Sequence, residues 1–441
     1  MNKTNKVGLN NKASTPLSYN VDYIKLTVNP DNAKIKELDI SNLVTHISVT
    51  EDIDQPGISV NMGIGDTLNL LENYRLAGNE KIQIKISRNS NIRGRESYNF
   101  TCYIAEIFGY SRLRPGFVVY QFRCISEHVF NNNLIVLKRA FQGTIGTVIS
   151  SICKSDLKIT NTDVEITEAS REVVKGIYPR IRPINAIFWL MRNSYSDSAS
   201  HFYFYESLAG GVKFKAYKEL LDEDTFEEYI YRAYTKSELS NETDAGYEAT
   251  RVRVISMSSE YNLSKFVSAG MGAYSSILHT VDISDKKYVK ATYDYENHNE
   301  LKLNKHKPFP TTADSTFLDR PLNHHIESKN YFLSLNSRSF NDHHNYHKPS
   351  GNIDLLKSQS YIENLNYMTH EITIPGDFNL SVGNTITLKV ARPEEDIRGS
   401  NKDEMQSGKY LVTSIIHEFK EEYTQIITLQ KDSSEVDLDV A

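Results

Sequence analysis

The sequence of 441 residues has very few cysteines, and it has no long apolar run. Its three cysteines, Cys102, Cys124 and Cys153, are odd in number, widely spaced and surrounded by apolar residues. This pattern predicts buried free thiols and argues against a disulfide framework or a cysteine metal site. Since no apolar stretch reaches the ~18 residues that a membrane-spanning helix requires, we expect no membrane insertion.

The N-terminus and the overall charge exclude further classes of protein. The first twenty residues are polar and contain no apolar core, so they do not resemble a secretory signal. We therefore expect synthesis and folding in a reducing cytoplasm. The formal net charge of -6 argues against a broad phosphate-binding surface, which needs clustered Lys and Arg. No specific nucleic-acid binding is expected.

Motifs for catalysis or cofactor binding are missing as well. There is no GxSxG elbow and no HExxH, and the acidic run from Glu219 to Glu228 lacks the order of a calcium loop. The glycines Gly270 and Gly272 lack the third glycine of a phosphate loop and indicate a tight bend. His417 and Glu418 are adjacent in a strand pattern, so their side chains should point to opposite faces. We predict no catalytic residue and no cofactor.

One segment is rich in histidine and requires a comparison of two interpretations. Seven of the thirteen histidines lie in it: His298, His306, His324, His325, His343, His344 and His347. A zinc site is conceivable, because His343 and His347 are four residues apart and His324 could supply a third ligand. However, proline, glycine, asparagine and serine surround these residues, and no catalytic carboxylate accompanies them. We interpret the segment as an exposed, polar connection without a bound metal.

Tyrosine is abundant, with 27 residues, and the apolar residues often alternate with polar ones, which favours β-strands. Between residues 21 and 128 this alternation occurs repeatedly, and Asp66 is a candidate cap for a short helix. Two long runs flank a turn at Leu113–Gly116, which predicts a hairpin. At least six strands in about a hundred residues indicate a small closed or nearly closed barrel.

The pattern changes after residue 129 and predicts a mixed α+β region up to residue 296. Helical spacing begins at Ile145 and again behind Pro183, a residue tolerated at a helix start. Two aromatic-rich strands then flank Gly210 and Gly211, which predicts a hairpin. Residues 297–360 form the His-rich connection.

The last region, residues 361–435, contains four strand patterns and one charged insertion from Arg392 to Ser407. The first two patterns are expected to pair as a hairpin across the turn at Gly383. The third, KYLVTSIIHEF, has apolar residues on both faces, with Ile415 assigned to the core. The last, YTQIITLQK, is a candidate edge strand.

Together these patterns predict a β-rich α+β fold. Two similar small β-barrel (tube-like) domains, residues 21–128 and 361–435, occupy the two ends of the chain, and the α+β middle region lies between them. Residues 1–20 are expected to form a flexible arm and residues 436–441 a tail.

Several stretches resemble the central hub proteins of phage contractile-tail baseplates. The C-terminal order DFNLSVGNTITLKV, GKYLVTSIIHEF and YTQIITLQKD is similar to the closing tube-like domain of that family. LVTHISVTEDIDQPG and FRCISEHVF are similar to its opening barrel, and PINAIFWLMRNSY precedes a hairpin as in its middle domain. The His-rich segment and the insertion have no counterpart in this pattern.

The resemblance implies a structural virion protein rather than an enzyme. Such hubs are homotrimers that form a ring between a threefold spike and the sixfold tail tube, and the ring encloses a channel for DNA. The implied partners are the spike, the tube or tube-initiator protein and the surrounding baseplate wedge proteins. The implied location is the virion tail, after synthesis and assembly in the host cytoplasm. The alternative function is a metal-dependent tail-associated hydrolase that uses the His-rich segment.

Overall fold

A computed structural model shows how the chain folds. It describes residues 15–28, 36–90, 94–159, 165–166, 173–194, 200–234, 244–261, 265–295, 303–304, 316–317, 319–321, 325, 327, 329–335, 353–392 and 402–433.

The strands are numbered in chain order. They are β1 Asn20–Val28, β2 Lys36–Asp39, β3 Val44–Asp52, β4 Ser59–Asp66, β5 Lys81–Ser90, β6 Gly94–Arg114, β7 Phe117–Ser126, β8 Ala140–Thr144, β9 Glu165–Ile166, β10 Val173–Ile177, β11 Phe202–Ser207, β12 Gly211–Ala216, β13 Glu228–Tyr231, β14 Ser256–Tyr261, β15 Ser275–Asp282, β16 Lys287–Asp294, β17 Thr316–Phe317, β18 Arg320–Pro321, β19 Asn330–Leu335, β20 Met368–Pro375, β21 Thr385–Val390, β22 Gly408–Phe419 and β23 Tyr423–Lys431.

The helices are short, apart from the last one. They are α1 Leu70–Asn73, α2 Glu127–Leu134, α3 Ile145–Ser151, which continues as a π-helical turn Ile152–Asp156, α4 Pro183–Met191, α5 Tyr217–Asp222, α6 Asp244–Arg251, α7 Lys265–Met271 and α8 Ile353–Leu365. With this strand content, the β-rich α+β prediction is confirmed.

The largest sheet contains thirteen strands, taken from both ends of the chain and from the middle region. Its order is β14-β20-β23-β22-β3-β4-β7-β6-β5-β1-β2; outside this order, β21 pairs with β22 and β13 pairs with β21. The two ends meet where β22 pairs antiparallel with β3, from Ser414 opposite Asp52 to Phe419 opposite Ile47. The predicted end domains therefore share one sheet. Within the described residues, no sheet closes on itself as a barrel does.

The strand patterns near the N-terminus correspond to observed strands, and in one of them a bulge changes which side chains face the core. The alternating residues of β1 and β5 are buried, as predicted, and the β6–β7 hairpin turns at Gly116, which has a positive φ of 74°. A β-bulge lies between Val44 and His46 in β3. Because a bulge adds one residue to a strand, the side chains before it change face, and Val44 and Ile47 are both buried although they are three positions apart.

Two predictions about the C-terminal strands are wrong. β20 and β21 do not form a hairpin: β20 pairs with β14 and β23, whereas β21 pairs with β22 and β13. The connection between β20 and β21 carries the buried side chains Phe378, Leu380 and Val382, so it crosses the core instead of making a short turn. β23, the predicted edge strand, lies inside the sheet between β20 and β22.

The middle region contains the predicted helices α3 and α4 and the hairpin of β11 and β12. Pro183 is at the start of α4, where its missing N–H costs no helical hydrogen bond. Two further strands of the predicted middle region, β13 and β14, belong to the large sheet. A smaller sheet, β16-β15-β19, packs on α7 and α8 around a separate apolar cluster.

Residues near the predicted domain borders contact residues that the prediction assigns to other domains. Tyr19, from the predicted arm, is buried against Phe419, with a ring distance of 5.3 Å. The backbone N–H of Tyr423 donates to the carbonyl oxygen of Leu17 at 2.8 Å. Helix α8 also crosses the predicted border at residues 360 and 361. The tail 436–441 and residues 393–401 of the insertion lie outside the described residues.

Candidate functional site at the seam between the two ends

The central strands of the large sheet have one apolar face and one polar face. In β22, Ile415 is fully buried, whereas its neighbours Ser414 and Ile416 are half-buried on the opposite face. This alternation continues through the neighbouring strands, which pair in register except at bulges between Val412 and Ser414 and between Val44 and His46. The polar face includes Ser48, Thr50, Asn61, Gln121, Thr369, Glu371, Ser414, Glu418, Thr424 and Thr428. It extends across the seam between β3 and β22, where the half-buried Ile416 and Ile426 also lie on it.

Beneath this face, buried polar side chains cross the seam. Glu51 of β3 accepts a hydrogen bond from His417 of β22, and the distance from Oε1 to Nε2 is 3.0 Å. The backbone N–H of Leu208 also donates to Glu51, at 2.9 Å, so the middle region is connected to the same carboxylate. Glu51 and His417 are both fully buried. Buried polar groups are stable only with such partners.

The other ring nitrogen of His417 contacts residues of β23. Nδ1 lies 2.9 Å from the hydroxyl of Tyr423 and 3.2 Å from the amide nitrogen of Gln425. Gln425 in turn donates to the carbonyl oxygen of Asp377, at 2.8 Å. Burial raises the pKa of the Tyr423 hydroxyl and that of Tyr98, which donates to the same carbonyl, well above the usual range for tyrosine. Both hydroxyls therefore stay protonated.

A second buried cluster centres on Arg88 of β5. Its guanidinium donates to Glu96, with Nη2 at 2.6 Å from Oε2. It also donates to the carbonyl oxygens of Pro16 at 2.6 Å and Gly376 at 2.8 Å. One side chain thereby connects the N-terminal segment, the first strands and the C-terminal region. Arg88 is 1% exposed, so these contacts replace all of its hydration.

The arrangement connects the two ends of the chain to each other and to the middle region. Glu51, His417 and Arg88 are buried and hydrogen-bonded to protein groups. The large groove nearby, of about 1100 Å³, is lined by Glu206 and His128 among other residues. Glu206 accepts from the backbone N–H of Ile58 at 3.0 Å and from the hydroxyl of Ser126, so it too connects two parts of the chain.

The predicted site residues are placed as follows. The zinc candidates His324, His343 and His347 lie outside the described residues. Within the described part of the chain, no group of three or more His, Cys, Asp or Glu is arranged to hold a metal ion. The three cysteines are free and buried. In the acidic run, Glu223, Glu227 and Glu228 pair with Lys215, Arg251 and Lys389 respectively.

Gly270 and Gly272 lie where α7 ends, and Gly272 has a positive φ of 90°, as expected of a tight bend. No helix among the described residues is both long and apolar enough to cross a membrane.

Neither Glu51 nor Arg88 was predicted as a site residue, although the sequence contains a signal for both. Glu51 follows Ile47 and Val49 at the next inward position of its strand, and Arg88 follows Ile84 and Ile86 in the same way. An ionisable residue at an inward position indicates a buried polar contact. Glu96 lies only 8 residues from Arg88, but Gly376 lies 288 residues from Arg88 and His417 lies 366 residues from Glu51. The distant partners could not be predicted.

No family model matches the sequence, and no curated protein matches it. Solved structures do resemble the fold. A tail protein from Neisseria meningitidis MC58 superposes with a TM-score of 0.51 and 11% sequence identity, over 93% of this chain and 97% of that one. The 43 kDa tail protein of prophage MuSo2 from Shewanella oneidensis has a TM-score of 0.50 and 9% identity, over 93% and 99% of the two chains.

These similarities extend over nearly the whole of each chain, so they concern the complete arrangement of domains. At identities near 10% they bear on the fold and not on individual residues. The resemblance to phage tail proteins that the sequence indicates is thus confirmed at the level of the fold.

Proposed function

We propose that this chain is the central hub of a phage tail baseplate, a structural virion protein that assembles as a homotrimeric ring. The observation that carries the proposal is the single antiparallel sheet that crosses both ends of the chain and presents one largely polar face. A polar face opposite a packed core is suited to line a water-filled channel. The fold shared with two tail proteins supports the same assignment.

The two halves of this sheet explain how a trimer would match a sixfold tube. On one side of the seam lie β14, β20, β23 and β22, and on the other lie β3, β4, β7 and β6, four strands each. Three chains would thus present six similar four-strand units. The ring would join the threefold spike on one side to the tail tube or its initiator protein on the other, with wedge proteins around it.

The chemistry of the polar face suits the passage of DNA without retention. Arg123 lies on this face but is paired with Glu106 at 2.8 Å, Glu418 is paired with Lys420, and Glu371 adds negative charge. DNA-binding surfaces instead cluster unpaired Lys and Arg. We place the protein in the virion tail, assembled in the host cytoplasm, with neither an enzymatic role nor a cofactor.

Light scattering combined with negative-stain imaging tests this function. The expected result is a particle with three times the 50.4 kDa mass of the chain and a ring with a central opening. A monomer at every concentration, without rings even when the cognate spike is added, would overturn the proposal.

A further inference from the structure

The small sheet β16-β15-β19 has one face packed inside the protein and one face in solvent. Leu278 and Leu333 point inward and belong to the apolar cluster that includes residues of α7 and α8. Because side chains alternate along a strand, the intervening positions point outward. On that outward face Phe332 is 79% exposed and Tyr288 60% exposed, and Val281 is exposed as well. The sheet thus shows large apolar side chains to solvent on the side that does not face the core.

The exposed rings on this face form one contiguous stack. The ring of His279 in β15 lies between the other two, with its centroid 4.7 Å from that of Phe332 in β19 and 6.0 Å from that of Tyr288 in β16. Nδ1 of His279 also lies 2.6 Å from the hydroxyl of Tyr288, and Val281 is directly opposite Tyr288. Single exposed apolar residues are common on soluble proteins, whereas a contiguous patch marks an interaction site.

The charge beside the rings is positive. Lys290 is exposed and lies directly opposite His279 on the outward face. Asp294 shares this face, but it lies at the other end of β16, opposite the buried Ser275. A second copy of the same face would bring like charges together, whereas a partner with a carboxylate would pair with Lys290. The charge therefore favours an acidic partner over a copy of this chain.

The turn between β15 and β16 makes a membrane a poorer partner than a protein. It carries Ile283, which is 68% exposed, but its charged residues Asp282, Asp285, Lys286 and Lys287 cancel one another. Anionic membranes attract clusters of about four to eight Lys and Arg. A protein surface needs no such cluster, because aromatic and apolar contacts at the centre of an interface supply most of the affinity.

We infer that the outward face of β16-β15-β19 is a docking surface for a different protein, which offers an aromatic or large apolar side chain to Phe332 and a carboxylate to Lys290. The ring of Phe332 ends the stack, so its outer side is open to an offset or edge-on contact with another aromatic ring. The inference goes beyond the proposed ring, because the partner is not a copy of this chain.

Selection from a library of random surface-displayed peptides tests this surface. Peptides are selected on the purified chain and counter-selected on the Phe332→Ser variant, which should fold because Phe332 is exposed, as circular dichroism checks. We expect the retained peptides to share an aromatic or large apolar residue and an Asp or Glu. One of them is then synthesised with a fluorescent label, and its Kd is measured by anisotropy. Phe332→Ser and Lys290→Glu should each raise this Kd about tenfold or more.

Matched controls make the same kinds of change elsewhere. Leu134→Ser, at a similarly exposed residue of α2, and Lys175→Glu, at an exposed residue of β10, should leave the Kd unchanged. The inference fails if no peptide depends on Phe332, if the retained peptides lack Asp and Glu, or if Lys290→Glu has no effect. It also fails if Phe332→Ser instead abolishes association between copies of the chain, or binding to vesicles of phosphatidylglycerol and phosphatidylethanolamine. The particle mass tests the proposed ring separately.

Discussion

At the scale of single residues, buried ionisable groups hold the two ends of the chain together. Glu51 accepts from His417, from the backbone of Leu208 at 2.9 Å and from that of Val382 at 3.4 Å. The change Glu51→Ala would leave all of these donors buried without an acceptor. We expect it to reduce the free energy of unfolding by about 3 kcal/mol, measured by urea denaturation.

Glu51→Gln is the matched control, because its amide oxygen still accepts one of these hydrogen bonds. It should cost clearly less than the alanine change. Equal losses in the two variants would mean that acceptor chemistry at this position contributes little.

A second residue, His370, makes stability depend on pH. It is buried in β20, with Nδ1 2.8 Å from the hydroxyl of Ser259 in β14 and Nε2 2.9 Å from that of Tyr410. Burial, followed by the positive charge of Lys431, lowers its pKa to about 4. In the unfolded chain the pKa is about 6.5, so the unfolded state takes up the proton first as pH falls.

The contribution of His370 is therefore complete above pH 6.5 and is lost progressively between about pH 6.5 and pH 4. The loss should reach about 3 kcal/mol, visible as a falling midpoint of urea unfolding. Burial lowers the pKa of His201 to about 4 as well, so His201 contributes in the same window. His370→Gln should flatten the pH dependence. An unchanged slope in His370→Gln would contradict this account.

At the scale of elements, the two faces of β22 should respond differently to the same substitution. Ile415 lies in the apolar core and Ile416, its neighbour, on the polar face. Ile415→Asp buries an unpaired charge and should destabilise the protein by several kcal/mol. Ile416→Asp should cost about 1 kcal/mol or less. Thermal unfolding of both variants measures the difference, and similar losses would mean that the polar face is covered in solution.

Sequence patterns predicted where the strands lie better than they predicted which strands pair with each other. Met368, His370, Ile372 and Ile374 alternate with more polar residues in the sequence and are all buried, because side-chain direction is a local property of a strand. The partners of β20, however, are β14 and β23, which come from distant parts of the chain. The bulge between Val44 and His46 likewise could not be recognised from the residue types around it. Pairing depends on long-range packing, which a period of two does not encode.

At the scale of the whole molecule, the alternative metal-dependent hydrolase makes a separate prediction. His343 and His347 are spaced as zinc ligands in the sequence, and both lie outside the described residues. We expect elemental analysis of the purified chain to find far less than one zinc per chain. Stoichiometric zinc that disappears when both histidines are replaced by alanine would favour the hydrolase.

The overall architecture was partly predictable for a physical reason. β-rich ends and an α+β middle follow from hydrophobic periodicity, which reports burial. That both ends share one sheet follows from contacts such as Glu51 with His417, which join positions 366 residues apart. Neither partner has a local feature that identifies the other.

The seam between β3 and β22 also has a mechanical consequence. The two ends are joined by paired strands from Ser414 opposite Asp52 to Phe419 opposite Ile47, with the buried Glu51 and His417 beneath them. Force along these strands would load several hydrogen bonds in shear at once, because the two segments are paired along six consecutive residues. A torque applied to one end of the chain would therefore reach the other end as rotation of one stiff body.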